Sequence, residues 1–447
     1  MREHTIVRKS TAGKINNLPK IATKRINENK TLKVLSLFSG CGGMDLGFEG
    51  GFEVLRDSVN ETLHPDFIEK MTDNGFVRLK RTKFETVFAN DILSDARNAW
   101  INFFTNRGRS ADIYHQQSIV DLVKLHKNGT KIFPEDVDIV TGGFPCQDFS
   151  IAGKRNGLKS QKDHNGKLID ASTATVETRG QLYMWMKEVI EITQPKIFIA
   201  ENVKGLVNLG DVKSIIQNDF SSVNGNGYLV LEPQVLHSAD YGVPQSRERV
   251  IFIGIKKSAI KRNILLELQK EIIPEKYNPY PAPTHSGSSK NSLLKNHVQL
   301  FKLFEHLSEP ELSTDLSQQI YSKAKFMGKH CQGQTEIKLN GIAPTIRSEH
   351  HGNIEFRRLS IENGGKNLTE INKGLKERRL TVRECALIQT FPPNYDFVIE
   401  NKENKKSKFL VSASQAYKII GNAVPPLLAY NIAHRLEELW EIYFNGN

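Results

Sequence analysis

Val137–Ser150 reads VDIVTGGFPCQDFS, a short apolar, β-rich run that ends in two glycines and hands on to Phe144, Pro145 and Cys146. In an open α/β sheet, ligands bind in the crevice outside the carboxyl ends of the strands. A thiol just past such an end stands where chemistry is expected. Cys146, directly after Pro145, is therefore a candidate nucleophile.

Working outward, the same β-rich pattern recurs along the chain with helix-prone stretches between: KVLSLF from Lys33, FETVFA from Phe84, IYHQQS from Ile113, KIFIAEN from Lys196, YLVLEPQVL from Tyr228 and RVIFIGI from Arg249. Such alternation implies a doubly wound, mostly parallel α/β sheet. The last two runs are joined by a turn-rich segment too short for a crossover helix, which predicts an antiparallel hairpin at one sheet edge. After about Ile255 the pattern breaks into a Lys-rich stretch, a PYPAPTHSGSS linker and a region of Gly, His and charged residues. RLTVRECALIQTF then resumes a helical pattern, and QAYKIIGNAVPPLLAYNIAHRLEELW closes the chain with a long amphipathic helix expected to return to the first domain. The expected division is a basic arm over 1–30, a catalytic domain over 31–256, a smaller irregular module over 257–378 and a returning segment over 379–447.

The 447 residues carry 61 Lys and Arg against 50 Asp and Glu, a formal charge of +11 that suits a polyanionic partner. Eight of those cations lie in the first 30 residues beside only Glu3 and Glu28. The four cysteines are widely spaced, so neither a disulfide framework nor a zinc site is expected. No run approaches the ~18 apolar residues of a membrane helix, and the start lacks the apolar core of a signal peptide. A cytoplasmic protein with no membrane partner is expected, acting as a monomer.

Further groups fall at strand ends. LFSGCGGMDLGF follows the first strand, and its Gly40, Gly42 and Gly43 permit a tight turn with close approach of a ligand to backbone N–H groups. It departs from the dinucleotide fingerprint, because Gly47 comes too late for the third glycine. Asp91 ends the next strand where doubly wound folds hold ribose hydroxyls. Glu201 ends KIFIA, where a carboxylate is costly to bury unless paired or protonated. Beyond the sixth run, QSRER places Arg247 and Arg249 on one side of an extended segment, suited to a phosphate or a carbonyl oxygen.

Taken in order, the glycine turn from Phe38, Asp91, Pro145 with Cys146, Glu201 with Asn202 and Val203, QSRER (245–249), RECALIQTFP (383–392) and GNAVPP (421–426) resemble the cytosine-C5 DNA methyltransferases, bacterial restriction-modification enzymes among them. The resemblance covers nearly the whole chain from Lys33. It implies a Rossmann-like fold that binds S-adenosyl-L-methionine, with a target-recognition domain between the QSRER and RECALIQ motifs. It also implies that the Cys146 thiolate adds to C6 of a flipped-out cytosine. Glu201, its pKa raised by burial, would assist at N3; Arg249 would hold O2, and Arg247 would support the loop or a phosphate.

The implied cofactor residues are Phe38, Ser39, Gly40, Gly42 and Gly43 of the turn, Asp91 with Ile92, Ser118 with Ile119, and Asn422. Ser118 is a departure, since the family often has an acid there. Lys154 and Arg155, in the polar stretch 150–179, are expected in a loop closing over DNA. Arg347, His350, Arg357 and Arg358, within GIAPTIRSEHHGNIEFRRL (341–359), are expected to contact double-stranded DNA. The adjacent His350 and His351 have no second ligand pair, so no metal is expected. A cognate restriction endonuclease would be a functional partner. Two alternatives stay open: a tRNA methyltransferase of the same family and a catalytically inactive DNA-binding protein.

Overall fold

The computed structural model describes residues 30–145, 182–208, 211–288, 292–328, 330–348, 353–402 and 408–444. All the elements below belong to one compact unit, Leu32–Asn447. Its strands in chain order are Leu32–Leu37 (β1), Glu53–Leu55 (β2), Ile68–Met71 (β3), Phe76–Leu79 (β4), Phe84–Asn90 (β5), Tyr114–His115 (β6), Ile139–Gly142 (β7), Ile197–Val203 (β8), Tyr228–Val230 (β9), Gln234–His237 (β10), Gln245–Ser246 (β11) and Glu248–Lys256 (β12). The first four helices are Gly43–Glu49 (α1), Ser94–Phe104 (α2), Ile119–Lys127 (α3) and Leu182–Thr193 (α4).

The main sheet runs in the order β10-β12-β8-β7-β1-β5-β6, with β9 also paired to β12. From β6 to β8 the pairings are parallel, as the alternation of runs predicts. β12 is antiparallel to β8 and to β10, which makes the expected edge hairpin. β1 and β8 are buried almost throughout, because helices cover both faces of a parallel sheet and leave no polar side to the strand. One apolar cluster on one side of the sheet gathers Val34 and Phe84 with α1 and the C-terminal helix. Another on the opposite side gathers Leu35, Val140 and Phe198 with α3 and α4.

Three features depart from a run-by-run reading. YLVLEPQVL breaks at Leu231–Pro233, since proline has no N–H for the ladder, and yields two strands that both pair with β12. IYHQQS keeps only two paired residues. The insertion before Phe84 folds as a separate antiparallel sheet, β2-β4-β3.

From β1 the chain crosses to β5 and β6 on one side and later to β7 and β8 on the other, so the crevice opens at the carboxyl ends of β1 and β7. The C-terminal helix Pro426–Phe444 lies along α1. Gly47 makes this possible: a Cβ there would stand 2.4 Å from the Pro426 carbonyl oxygen and from the Ala429 side chain. The late glycine of the turn motif is thus a helix-packing glycine. Among the described residues no helix is long and apolar enough to cross a membrane.

Candidate active site

A cavity of about 510 Å³ opens at the switch point, within the range of small-molecule sites. The glycine turn forms one wall. Phe38 takes a left-handed φ of 53° and Gly40 and Gly42 follow at 54° and 77°. A non-glycine residue in that region costs on the order of 1 kcal/mol and persists only where its surroundings hold it. Here the Ser39 N–H donates to the Asn90 carbonyl (2.8 Å), its hydroxyl donates to Ser36, and the Asn90 N–H donates back to the Ser39 oxygen. Phe38, Ser39, Gly40 and Gly43 line the cavity. Nothing lies within 4 Å of a Cβ placed on Gly40, whereas a Cβ on Gly42 would strike Phe104 at 2.5 Å. Gly40 thus leaves space for a ligand, and Gly42 seats the turn on α2.

Asp91 spans the cavity's second wall. Its two carboxylate oxygens accept from the Gly40 and Leu93 N–H groups at 3.0 and 2.9 Å. Burial raises its pKa against those hydrogen bonds and the positive charge of Lys418. Ile92, Ser118, Ile119 and Asn422 also line the cavity. The Ser118 hydroxyl oxygen accepts from the Val120 N–H as the N-cap of α3, a structural task for the residue that departs from the family pattern.

The other end of the same cavity is lined by Gly143, Pro145, Glu201 and Arg249. β8 and the antiparallel β12 bring the two charged residues together: Arg249 Nε stands 2.7 Å from Glu201 Oε1. Burial raises the Glu201 pKa, against the lowering effect of the Arg249 and Arg247 charges. A Cβ on Gly143 would lie 2.8 Å from Glu201 Oε2, so glycine is what lets this oxygen approach the turn before Pro145. The Asn202 amide donates to the Phe144 carbonyl (3.1 Å) and fastens the same turn. Cys146 lies outside the described residues, as do Lys154, Arg155, His350 and residues 1–29 of the basic arm.

Arg247 is fully buried away from the cavity. Its guanidinium donates to the carbonyls of Ile346, Gly421 and Ala423, each at 2.9 Å. Arg347 pairs with Glu355 at 3.1 Å and stays partly exposed. Arg357 and Arg358, expected to contact DNA, are turned inward in this structure. They are 7% and 2% exposed; Arg357 pairs with Glu370, and Arg358 with both Glu370 and Glu309. Carboxylates from distant segments draw this RR pair inward.

Sequence reading missed Lys418, Val424 and Ser348, which also line the cavity. Lys418 was detectable in principle, since it stands one helical turn before Asn422 on the helix Ala413–Asn422 and so shares its face.

A family model of the C-5 cytosine-specific DNA methylases matches residues 72–438. Type II methyltransferase M.BsuRI of Bacillus subtilis is 31% identical over 422 residues, covering 92% of this chain and 80% of that protein. Type II methyltransferase M.BspRI of Lysinibacillus sphaericus is 31% identical over 427 residues, with coverage of 93% and 83%. Among solved structures, the Dnmt2 methyltransferase of S. pombe aligns at a TM-score of 0.50 and 15% identity, covering 92% of this chain and 99% of that one, a likeness of fold.

Proposed function

The chain belongs to the C-5 cytosine-specific DNA methylase family, and on that premise we propose that the cleft methylates C5 of a cytosine flipped out of duplex DNA within a particular base sequence. One observation carries the reading. A single cavity is lined at one end by the glycine turn and Asp91 and at the other by Pro145, Glu201 and Arg249, so cofactor and base would meet inside it.

The residues at the first end fit S-adenosylmethionine, the methyl donor of this family. Open space over Gly40 and a carboxylate fixed beside it suit a nucleoside, and Phe38 and Ile92 offer apolar surface for its base. Asn422 would hold the methionine part. When bound, the cofactor supplies an electrophilic methyl on a sulfonium sulfur.

At the second end this chain's own groups do the remaining work. The Cys146 thiolate would add to C6 and so make C5 nucleophilic; once C5 has taken the methyl, loss of its proton to a base expels the thiolate from C6 and restores the ring. Glu201 Oε1 accepts from Arg249, so a proton on the acid resides on Oε2, toward Gly143, from which it can be donated to N3 of the base. The Arg249 guanidinium, positioned by that pair and by its bond to the Glu248 carbonyl, would meet O2. Base recognition is assigned to 257–378, with Arg347 as a contact, and closure over the DNA to Lys154 and Arg155. The similarity to bacterial Type II methyltransferases supports a role in protecting DNA from a cognate endonuclease; a monomer acting in the cytoplasm completes the proposal.

The test is transfer of labelled methyl from S-adenosylmethionine to unmodified duplex DNA, with Cys146→Ser in parallel and bisulfite sequencing of the product. Methylation at one recurring sequence, lost in the variant, is expected. Label appearing in tRNA and never in duplex DNA would overturn the reading.

A further inference from the structure

Outside the cleft, at the edge of the sheet, a second group of titratable side chains converges. His237 ends β10, Asp240 lies in the 3-10 turn Ser238–Tyr241 that follows, and His297 comes from the segment just after the short strand Lys295–Asn296. His297 Nε2 stands 2.9 Å and His237 Nδ1 3.4 Å from the same carboxylate oxygen, Asp240 Oδ1. We propose that His237, Asp240 and His297 form a binding site for a divalent transition-metal ion, with zinc the best match, that clasps the segment around His297 to the sheet edge.

The spacing supports coordination. Zinc holds imidazole nitrogen and carboxylate oxygen at about 2.0–2.2 Å, so neighbouring ligand atoms of a tetrahedral site stand roughly 3.3–3.5 Å apart. Of the two observed separations, 3.4 Å falls in that range and 2.9 Å is a hydrogen-bond distance that would lengthen on coordination, and all three ligand atoms lie within 4.8 Å of one another. As a hydrogen bond 3.4 Å is long and weak, so hydrogen bonding alone accounts poorly for the position of His237.

The donor set points the same way. Two imidazoles with one carboxylate suit a borderline-soft ion and leave a fourth position for water, whereas magnesium or calcium would call for oxygen ligands.

The electrostatics also permit a cation. No lysine or arginine pairs with Asp240 among the described residues. Lys295, two residues before His297, donates its ammonium to the Val59 carbonyl at 2.7 Å. His285, the neighbouring imidazole, is pushed down to about 4 by burial and stays neutral at pH 7.

The ligands are held in place before any ion arrives. The Thr284 N–H donates to the Asp240 carbonyl at 2.8 Å and the His297 N–H to the Ser286 carbonyl at 3.2 Å. A Cβ on Gly287 would sit 3.3 Å from the His297 ring, so glycine makes room for it. Side-chain exposures of 27%, 34% and 19% leave an entry path. A second triad, His64, His434 and Glu438, is the natural control, because Arg435 pairs with the other Glu438 oxygen at 2.9 Å and sets a positive charge beside that carboxylate.

The test uses the full chain without an affinity tag, stripped with chelator and titrated with Zn²⁺ and, for its visible spectrum, with Co²⁺. The expected result is one tightly bound equivalent, a rise in thermal midpoint on adding zinc, and a Co²⁺ spectrum typical of mixed nitrogen and oxygen ligands. His237→Ala and His297→Ala, each checked for intact folding by circular dichroism, should each weaken binding at least ~10-fold, whereas His434→Ala should leave it unchanged. A stripped chain that takes up no zinc, or binding undiminished in both variants, would overturn the assignment.

Discussion

Glu201 carries two oxygens in unlike surroundings: Oε1 takes the Arg249 Nε–H at 2.7 Å, whereas Oε2 faces the bare Cα of Gly143. Replacement by glutamine keeps the volume but removes the acid and leaves Arg249 without its counter-charge. We expect the single-turnover methyl-transfer rate of Glu201→Gln to fall by roughly 100-fold or more; a rate within a few-fold of the parent would remove Glu201 from the proton pathway. The pH dependence has a definite sign. Burial raises the Glu201 pKa above the ordinary glutamate value, so the protonated form persists to higher pH than usual and the rate should decline only as pH rises through that raised value. The Gln variant should lack this alkaline limb, and its survival there would assign the limb to another group. Gly143→Ala tests the geometry separately. The new methyl would lie 2.8 Å from Oε2, so the carboxyl or the turn must move. We expect a large loss of rate with little change in denaturant midpoint, and an unaltered rate would show that the close approach is dispensable.

Helix α1 illustrates how an element can be legible in outline and opaque in detail. Its glycines mark a turn in the sequence, but nothing there marks Asp45, in its first turn, as buried. The Asp45 carboxyl accepts from the Ser36 hydroxyl at 2.5 Å and the Trp100 indole N–H at 2.8 Å, and burial pushes its pKa up to about 7. In the unfolded chain the same group loses its proton near ~3.9. Between those values the folded state binds more protons, so this group's contribution to stability is full below the lower value and is lost as pH rises to about 7. Asp45→Asn should flatten that slope, which is worth roughly 2–3 kcal/mol between pH 5 and pH 8, in denaturant midpoints compared at those two values; an unchanged slope would locate the titration elsewhere. Strand runs were legible because parallel strands are apolar on both faces. IYHQQS reads as a longer strand than the paired Tyr114–His115, because two residues of ladder leave no period to read. The inward turn of Arg357 and Arg358 depends on Glu309 and Glu370, carboxylates supplied from other segments of the chain. The His237, Asp240 and His297 cluster escaped for the same reason, since its third member stands 57 positions from its second.

Across the whole molecule, the residues lining the cavity come from strand ends, helices and turns far apart in sequence, and a buried polar hub joins two of these segments. Gln245 Oε1 accepts from the Ile346 N–H, its amide donates to Gln389, and the Gln389 amide donates to the Ile420 carbonyl. Arg247 adds the carbonyls of Ile346, Gly421 and Ala423. Gly421 lies so close to Arg347 that a Cβ would meet its carbonyl oxygen at 2.1 Å. The segment leading to Arg347 and Ser348, for which DNA contact is proposed, is therefore fixed to the turn that carries Asn422, for which cofactor binding is proposed. Two ligands that each order one side of such a hub favour each other's binding, and the factor is the same in both directions. Arg247→Lys would exchange a planar fork for a point charge and leave at least one buried carbonyl without its donor, at a cost of roughly 1–3 kcal/mol. In the parent protein, duplex DNA should tighten binding of the demethylated cofactor, S-adenosylhomocysteine, by the factor with which that cofactor tightens DNA. In the lysine variant both factors should shrink together toward unity, measured by calorimetry with each ligand alone and in the presence of the other. A lysine variant that is destabilised but keeps the parental factor would show that the hub holds the fold together without linking the two sites.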